Sequence, residues 1–272
     1  MEWSKVKNII ILILLALNGI LLFLAAGREY EYRRYQEKAR TEVLTTMAAN
    51  GVSLKADVLP EDAVLPALQL ERESMQFEPE QVEALLGPCR REDESGGIRV
   101  TYTGEKGRMD AFSSGRFTVE FRSGTMALED RDAEAYGAGV LEQLGCESEL
   151  VAREEDDGEL RLTFRQIWGG IPVFNCESHL TYRDGELRRM EGRRLCGTAA
   201  AASQEKIITV PTLLIRFLSQ RNESGRMFSK ITHIEAGYQA ASVRPFSLTP
   251  VWHIETDTGA YILGGTDGKV LD

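Results

Sequence analysis

Enzymatic chemistry needs groups that move protons, attack carbonyls or hold metal ions, and this chain carries few of them. Its histidines are His179, His233 and His253, each inside a strand-like run, with no HExxH or HxH pair. His253-x-Glu255 puts two ligand-type side chains on one strand face, an arrangement that two-residue alternation also produces by chance. Satisfied strand histidines are the expectation; the rival is a hydrolase or metal enzyme assembled from His179, His253 and nearby carboxylates. No GxSxG, Walker or GxGxxG pattern occurs, and Gly137-x-Gly139 stands in a helical stretch without a third glycine. The acidic runs Glu92 to Glu94 and Glu154 to Asp157 lie between strands beside glycines and read as solvated turns, not as paired catalytic carboxylates. Cys89, Cys146, Cys176 and Cys196 include no CxxC pair, so metal-type spacing is absent. Four buried thiols are favoured over two disulfides, of which Cys176 with Cys196 could close a sheet. The expectation is a non-enzyme with no catalytic, metal-binding or cofactor-binding residue and no small-molecule substrate.

One polar side chain stands where polarity is costly. Asn8 to Ala26 is nineteen residues without a charge, and Asn18 lies near its middle. As a helix the run spans roughly 28 Å, close to a bilayer core, so a single transmembrane segment is expected. It is too long for an ordinary signal-peptide h-region of about 7 to 15 residues, which favours an uncleaved anchor over a cleaved leader. An amide in hydrocarbon gains roughly 0.6 to 2 kcal/mol from an interhelical hydrogen bond, or it bonds to its own backbone. Trp3 and Asn18 are the candidate partner-binding residues at the membrane level.

Charge excludes other classes. Among 272 residues, 42 acidic and 32 basic ones leave a net charge of −10, which argues against a basic nucleic-acid binder. Setting aside Glu2, Lys5 and Lys7 leaves 41 acidic and 30 basic residues over 28–272, or −11. Such a body has no general attraction to anionic lipid or phosphate. Basic residues flank the apolar run on both sides, with more beyond it (Arg28, Arg33, Arg34, Lys38, Arg40), so a basic-residue count and the anchor reading disagree on orientation.

These groups must be positioned by the rest of the chain. From 27 to 50 the pattern stays helical, with Tyr32, Tyr35, Ala39, Val43 and Met47 on one stripe and Gly51 as a stop, so a stalk is expected to continue the membrane helix. It would pack on the chain's own first domain or on another helix. Pro79 to Leu86, Asp130 to Leu144 and the segment around Val210 to Leu218 read as helices, each followed by alternating strand-like runs and glycine turns. The expected fold class is α+β, with helices packed on one face of antiparallel sheets. The divisions are a tip (1–7), a transmembrane helix (8–26), a stalk (27–50), an N-terminal α+β domain (51–126) and a C-terminal α+β region (127–272). Thr198 to Ser203 is the internal linker candidate.

Three stretches carry a family resemblance. The opening Met1-Glu2-Trp3-Ser4-Lys5-Val6-Lys7-Asn8-Ile9-Ile10, running into Leu17-Asn18, resembles the start of YycI-type proteins, apart from Ile10 where an aromatic is usual. Phe164 to Phe174 resembles their Q-x-x-x-G-x-P-V strand–turn–strand, shared with the wider PepSY-like domains, through Gln166, Gly170, Pro172 and Val173. Thr249 to Ile254, with Gly259, Tyr261 and Gly268-Lys269-Val270, resembles the closing P-x-W-x-I … Y … G-x-V hairpin. The resemblance implies PepSY-like αβββ units in an extracytoplasmic body behind a cytoplasmic N-terminus in the cell membrane. It also implies association with a sensor histidine kinase and a YycH-like membrane protein, modulating two-component signalling in cell-wall homeostasis. PepSY-like domains also occur in protease propeptides, so a binding or inhibitory module for a protease or peptide is the alternative.

Overall fold

The computed structural model of the chain describes residues 3–71, 75–94, 96–202, 207–225 and 227–271, and within helices it leaves aside the side chains at 4–6, 9, 10, 25, 26, 29, 32, 33 and 224. Helix α1 runs unbroken from Trp3 to Ala49. At about 1.5 Å per residue it is roughly 70 Å long. Among the described residues, no helix is long and apolar enough to cross a membrane. Side chains of the 8–26 segment are described without a break from Ile11 to Leu24, and every one of them is exposed.

Beyond α1 the same unit recurs three times. Helix α2 (Pro79–Leu86) precedes β2 (Arg90–Asp93), β3 (Arg99–Thr103), β4 (Gly107–Phe112) and β5 (Arg116–Phe121). Helix α3 (Ala133–Gln143) precedes β6 (Ser148–Asp156), β7 (Glu159–Trp168), β8 (Ile171–Arg183) and β9 (Glu186–Arg193). Helix α4 (Val210–Ser224) precedes β11 (Ile231–Ala240), β12 (Ser247–Thr256), β13 (Gly259–Gly264) and β14 (Val270–Leu271). Each set of four strands is an antiparallel meander. The units hold four strands each, one more than the αβββ unit that the resemblance implies, and the strand missing from the sequence reading is β2 of the first unit.

Local sequence explains the helix ends. Glu78 and Gln81 form a reciprocal capping box on α2, with Pro79 at the first turn. Asp132 accepts from Ala135 N at the start of α3, and α4 stops at Gly225 in the left-handed region. Gly137 serves packing: a Cβ there would come within 2.9 Å of Leu180 Cδ2 and the Tyr182 hydroxyl, so the missing side chain lets α3 lie against β8.

The first two units join through their last strands, β5 against β9, and share one core in which α2 and α3 cover the sheet. The 126/127 division drawn from the sequence passes through this core, which contains Met126 and Ala133 as well as Phe77 and Leu180. A second core gathers α4, β11, β12 and the end of α1. Strand β8 links the two: Val173 and Cys176 belong to one core, Leu180 and Tyr182 to the other. Its start pairs in parallel with β11 through Val173 and Tyr238.

Two expectations are corrected. Ala199–Ala201, in the supposed linker 198–203, is strand β10, paired with β1 (Leu68–Leu70), which in turn pairs with β12; Ser203 lies outside the described residues. Of the acidic runs expected as turns, Glu92 and Asp93 lie in β2, and Glu154 to Asp156 end β6. Both are edge strands with exposed side chains, where charge replaces the apolar alternation that marks a strand in sequence.

Candidate partner interface

The base of α1 is fixed to the body by a set of contacts that begins at Gln36. Val43 and Met47 are buried in the α4 core at 3% and 1% exposure, worth about 1.5–3 kcal/mol each. Arg40 donates to two backbone carbonyls, Leu59 O at 2.6 Å and Pro60 O at 2.7 Å. Gln36 donates to Asp62 Oδ2 at 3.1 Å, while Asp62 Oδ1 accepts from Val210 N at 2.8 Å. One carboxylate thus ties α1 to the first turn of α4, where its charge also suits the helix dipole. After the helix, Ser53 N donates to Ser229 O and Ile231 N to Ser53 O, continuing the attachment into β11. The stalk therefore packs on the chain's own body, against the last unit and against Leu59, Pro60 and Asp62 of the segment assigned by sequence to the first domain.

Val43 and Met47 from the predicted stripe enter this core, whereas Tyr35 stays 71% exposed and the Tyr32 side chain lies outside the described residues. Tyr35 and Ala39 instead line a groove of about 490 Å³ between α1 and α4, with Glu42, Thr46, Pro211 and Ile215 among its walls. Its α1 lining is Tyr35, Ala39, Glu42, Val43 and Thr46; apart from Val43, which turns into the core, these are spaced four, three and four apart. Continued toward the N-terminus, the same alternation passes through Arg28, Leu21, Asn18, Leu14 and Ile11. That is the 3.5-residue seam along which a left-handed supercoiled partner helix would lie.

Asn18 donates through Nδ2 to Leu14 O at 2.9 Å, one turn back, which leaves Oδ1 as an acceptor. Trp3 is 84% exposed at the far end of the helix, about 22 Å from Asn18, so the two are not brought together. Gln36, Arg40, Asp62 and the groove were not singled out from the sequence. Their signal was weak, since Arg40 reads as one more basic residue and Asp62 lies outside any helix.

The groups considered for catalysis are dispersed. His179 Nδ1 lies 3.0 Å from Thr163 Oγ1, and His233 Nε2 lies 3.6 Å from Glu235 Oε2. His253 is buried and stacked on Phe174 at 4.8 Å, with Arg165 over the same ring at 5.1 Å. Burial, and then the Arg165 charge, hold its pKa below the ordinary histidine value. Among the described residues, no group of three or more His, Cys, Asp or Glu is placed to hold a metal ion. All four cysteines are free thiols, and burial pushes Cys146 and Cys176 up to about 12.

The strand–turn–strand around Gln166 has a structural role. The buried Gln166 amide donates to Leu195 O and accepts from Leu195 N, both at 2.8 Å, as a backbone pair would. Asn175 repeats this on Ala240 O and Ala240 N, again at 2.8 Å, across the junction of β8 and β11. Gly237 permits that junction, because a Cβ there would lie 2.6 Å from Pro172 O and from the Phe174 ring.

No family model matches the chain, and no curated protein matches it. Among solved structures it is similar to an uncharacterized protein from Eubacterium rectale, over 77% of this chain and 86% of that one, at 9% identity and a TM-score of 0.48. It is also weakly similar to the Bacillus megaterium YpeB C-terminal domain, over 71% of this chain and 92% of that one, at 11% identity and a TM-score of 0.38.

Proposed function

We propose that the chain is a membrane-anchored, non-enzymatic regulator that binds a membrane partner along α1 and modulates it through the attached body. The PepSY-like αβ body would stand outside the cell behind a cytoplasmic N-terminus. The partner inferred from the sequence resemblance is a sensor histidine kinase acting with a YycH-like membrane protein in cell-wall homeostasis.

The observation that carries this reading is the continuity of α1. One helix holds the uncharged segment at 8–26 and, without a break, the residues buried in the body core at Val43 and Met47. A partner helix on the Asn18 side would meet the same seam again at Tyr35 and Ala39, beside α4. Displacement of either end is then felt at the other. A partner with two signalling states is biased to the extent that this surface fits one state better. On this seam, Arg28 and Glu42 would each face their own copies in a parallel homodimer, so the charges favour a different protein with opposite charges at those levels.

The test separates anchoring from coupling. Glu31→Pro breaks the helix between the membrane segment and Gln36, where the body contacts begin, and leaves the body's core intact. The expected outcome is a variant that stays in the membrane with a normally folded body but no longer alters the partner's output. Unchanged regulation, or native membranes from which the wild-type chain recovers no other membrane protein, would refute the proposal.

A further inference from the structure

Strand β6, three strands away from β11, is the long open edge of the fold. It runs nine residues, about 30 Å, and its sheet partner is β7 alone. The other strand ends of the sheet path are short: β2 has four residues and β10 three. Val151 forms a bulge near the start of β6, after which Ala152 to Asp156 pair regularly with Thr163 to Glu159. One side of these five residues therefore presents a row of backbone donors and acceptors to whatever lies beside it.

The charge on this edge is one-sided. Residues 147–159 hold seven acidic side chains and one basic, Arg153. Arg153 is engaged by Glu134 of α3 at 2.8 Å. By register, Glu149, Glu154 and Asp156 share the opposite sheet face with Arg165, Arg161 and Glu159. At the end of the strand a cleft of about 270 Å³ is lined by Glu154, Asp156, Asp157, Glu159, Arg161 and Arg183. Both arginines there pair with Glu159, at 3.6 and 3.4 Å, and Glu154, Asp156 and Asp157 make no ion pair among the described residues.

We propose that the edge of β6 docks an extended, lysine- or arginine-rich segment of a partner protein as an added strand, with one basic side chain seated in the carboxylate cleft. Backbone pairing along Ala152 to Asp156 supplies affinity, and alternate basic side chains facing Glu154 and Asp156 supply specificity. The same charges exclude a second copy of this chain, because two such edges would bring like charges together. The site lies in the second unit, separated from the unit that holds α1 by β7 and β8, and does not rest on the membrane-partner reading.

The test uses the full chain in detergent with three labelled octapeptides: (Lys-Val)4, (Glu-Val)4 and (Lys-Gly)4. Fluorescence anisotropy reads binding, and amide hydrogen exchange reads where it occurs. The expected result is binding of (Lys-Val)4 with slowed exchange confined to 152–156. The double variant Glu154→Lys/Asp156→Lys, changed at exposed positions, should bind it at least tenfold more weakly while keeping the wild-type melting temperature. Absence of binding, equal binding of (Glu-Val)4, equal binding of the strand-averse (Lys-Gly)4, or binding without protection at 152–156 would each overturn the proposal.

Discussion

Replacing Gln166 by leucine tests whether the glutamine of the strand–turn–strand holds the fold and does no chemistry. The side chain is 3% exposed, and its two bonds satisfy both backbone groups of Leu195, itself 1% exposed. Leucine nearly conserves the volume, so no large cavity forms, but Leu195 N–H and C=O lose their partners inside the protein. Each buried orphan costs about 1–3 kcal/mol, giving roughly 2–6 kcal/mol for the pair. For a body of this size about 1 kcal/mol moves the melting temperature by roughly 2–4 °C, so a fall of about 4–24 °C is expected. Thermal unfolding followed by near-ultraviolet circular dichroism in detergent measures it. Gln166→Glu should be no better than leucine, because it keeps an acceptor for Leu195 N–H but turns a second oxygen toward Leu195 O. A loss below about 1 kcal/mol in both variants would refute the backbone-mimic argument.

Further outcomes follow from the same geometry. Gly237→Ala drives a Cβ into Pro172 O and the Phe174 ring and should cost about 2–4 kcal/mol in denaturant unfolding, whereas the exposed Gly27→Ala should cost nothing measurable. Cys146 and Cys176, buried and held protonated near a pKa of about 12, should resist maleimide at pH 8 until the protein unfolds, while the partly exposed Cys89 and Cys196 label before them; mass mapping of labelled peptides checks the order. His253 has a folded pKa below its unfolded value, so its neutral form favours the fold. That contribution is complete above a pH of about 6.5 and is lost as pH falls below it; His253→Phe should flatten the stability curve over this interval.

The helices and most strands were legible because their signals are local. Pro79 and Gly87 bracket α2 at the residues expected, and Phe117, Val119 and Phe121 alternate as β5 requires. Strands with little apolar pattern were not legible. Strand β2 is Arg-Arg-Glu-Asp, with no buried residue, and β10 is three alanines paired along β1. The helix repeat was visible, and four strands per unit were legible in the second and third units; in the first the count depended on β2. Asn18 could be singled out because an amide is conspicuous among nineteen uncharged residues. The contacts that fix the base of α1 could not: Gln36, Asp62 and Val210 are separated by 26 and 148 residues, and only the folded chain puts α4 beside α1.

In the proposed function, α1 carries a partner along one seam from Asn18 to the groove beside α4. Site-specific photo-crosslinking in native membranes tests it directly, with the photoreactive residue placed at 18, at 39 and, off the seam, at the exposed position 23. Positions 18 and 39 should crosslink to the same second membrane protein, and 23 should not. Equal crosslinking from 23, crosslinks only between copies of this chain, or different partners at 18 and 39 would contradict it.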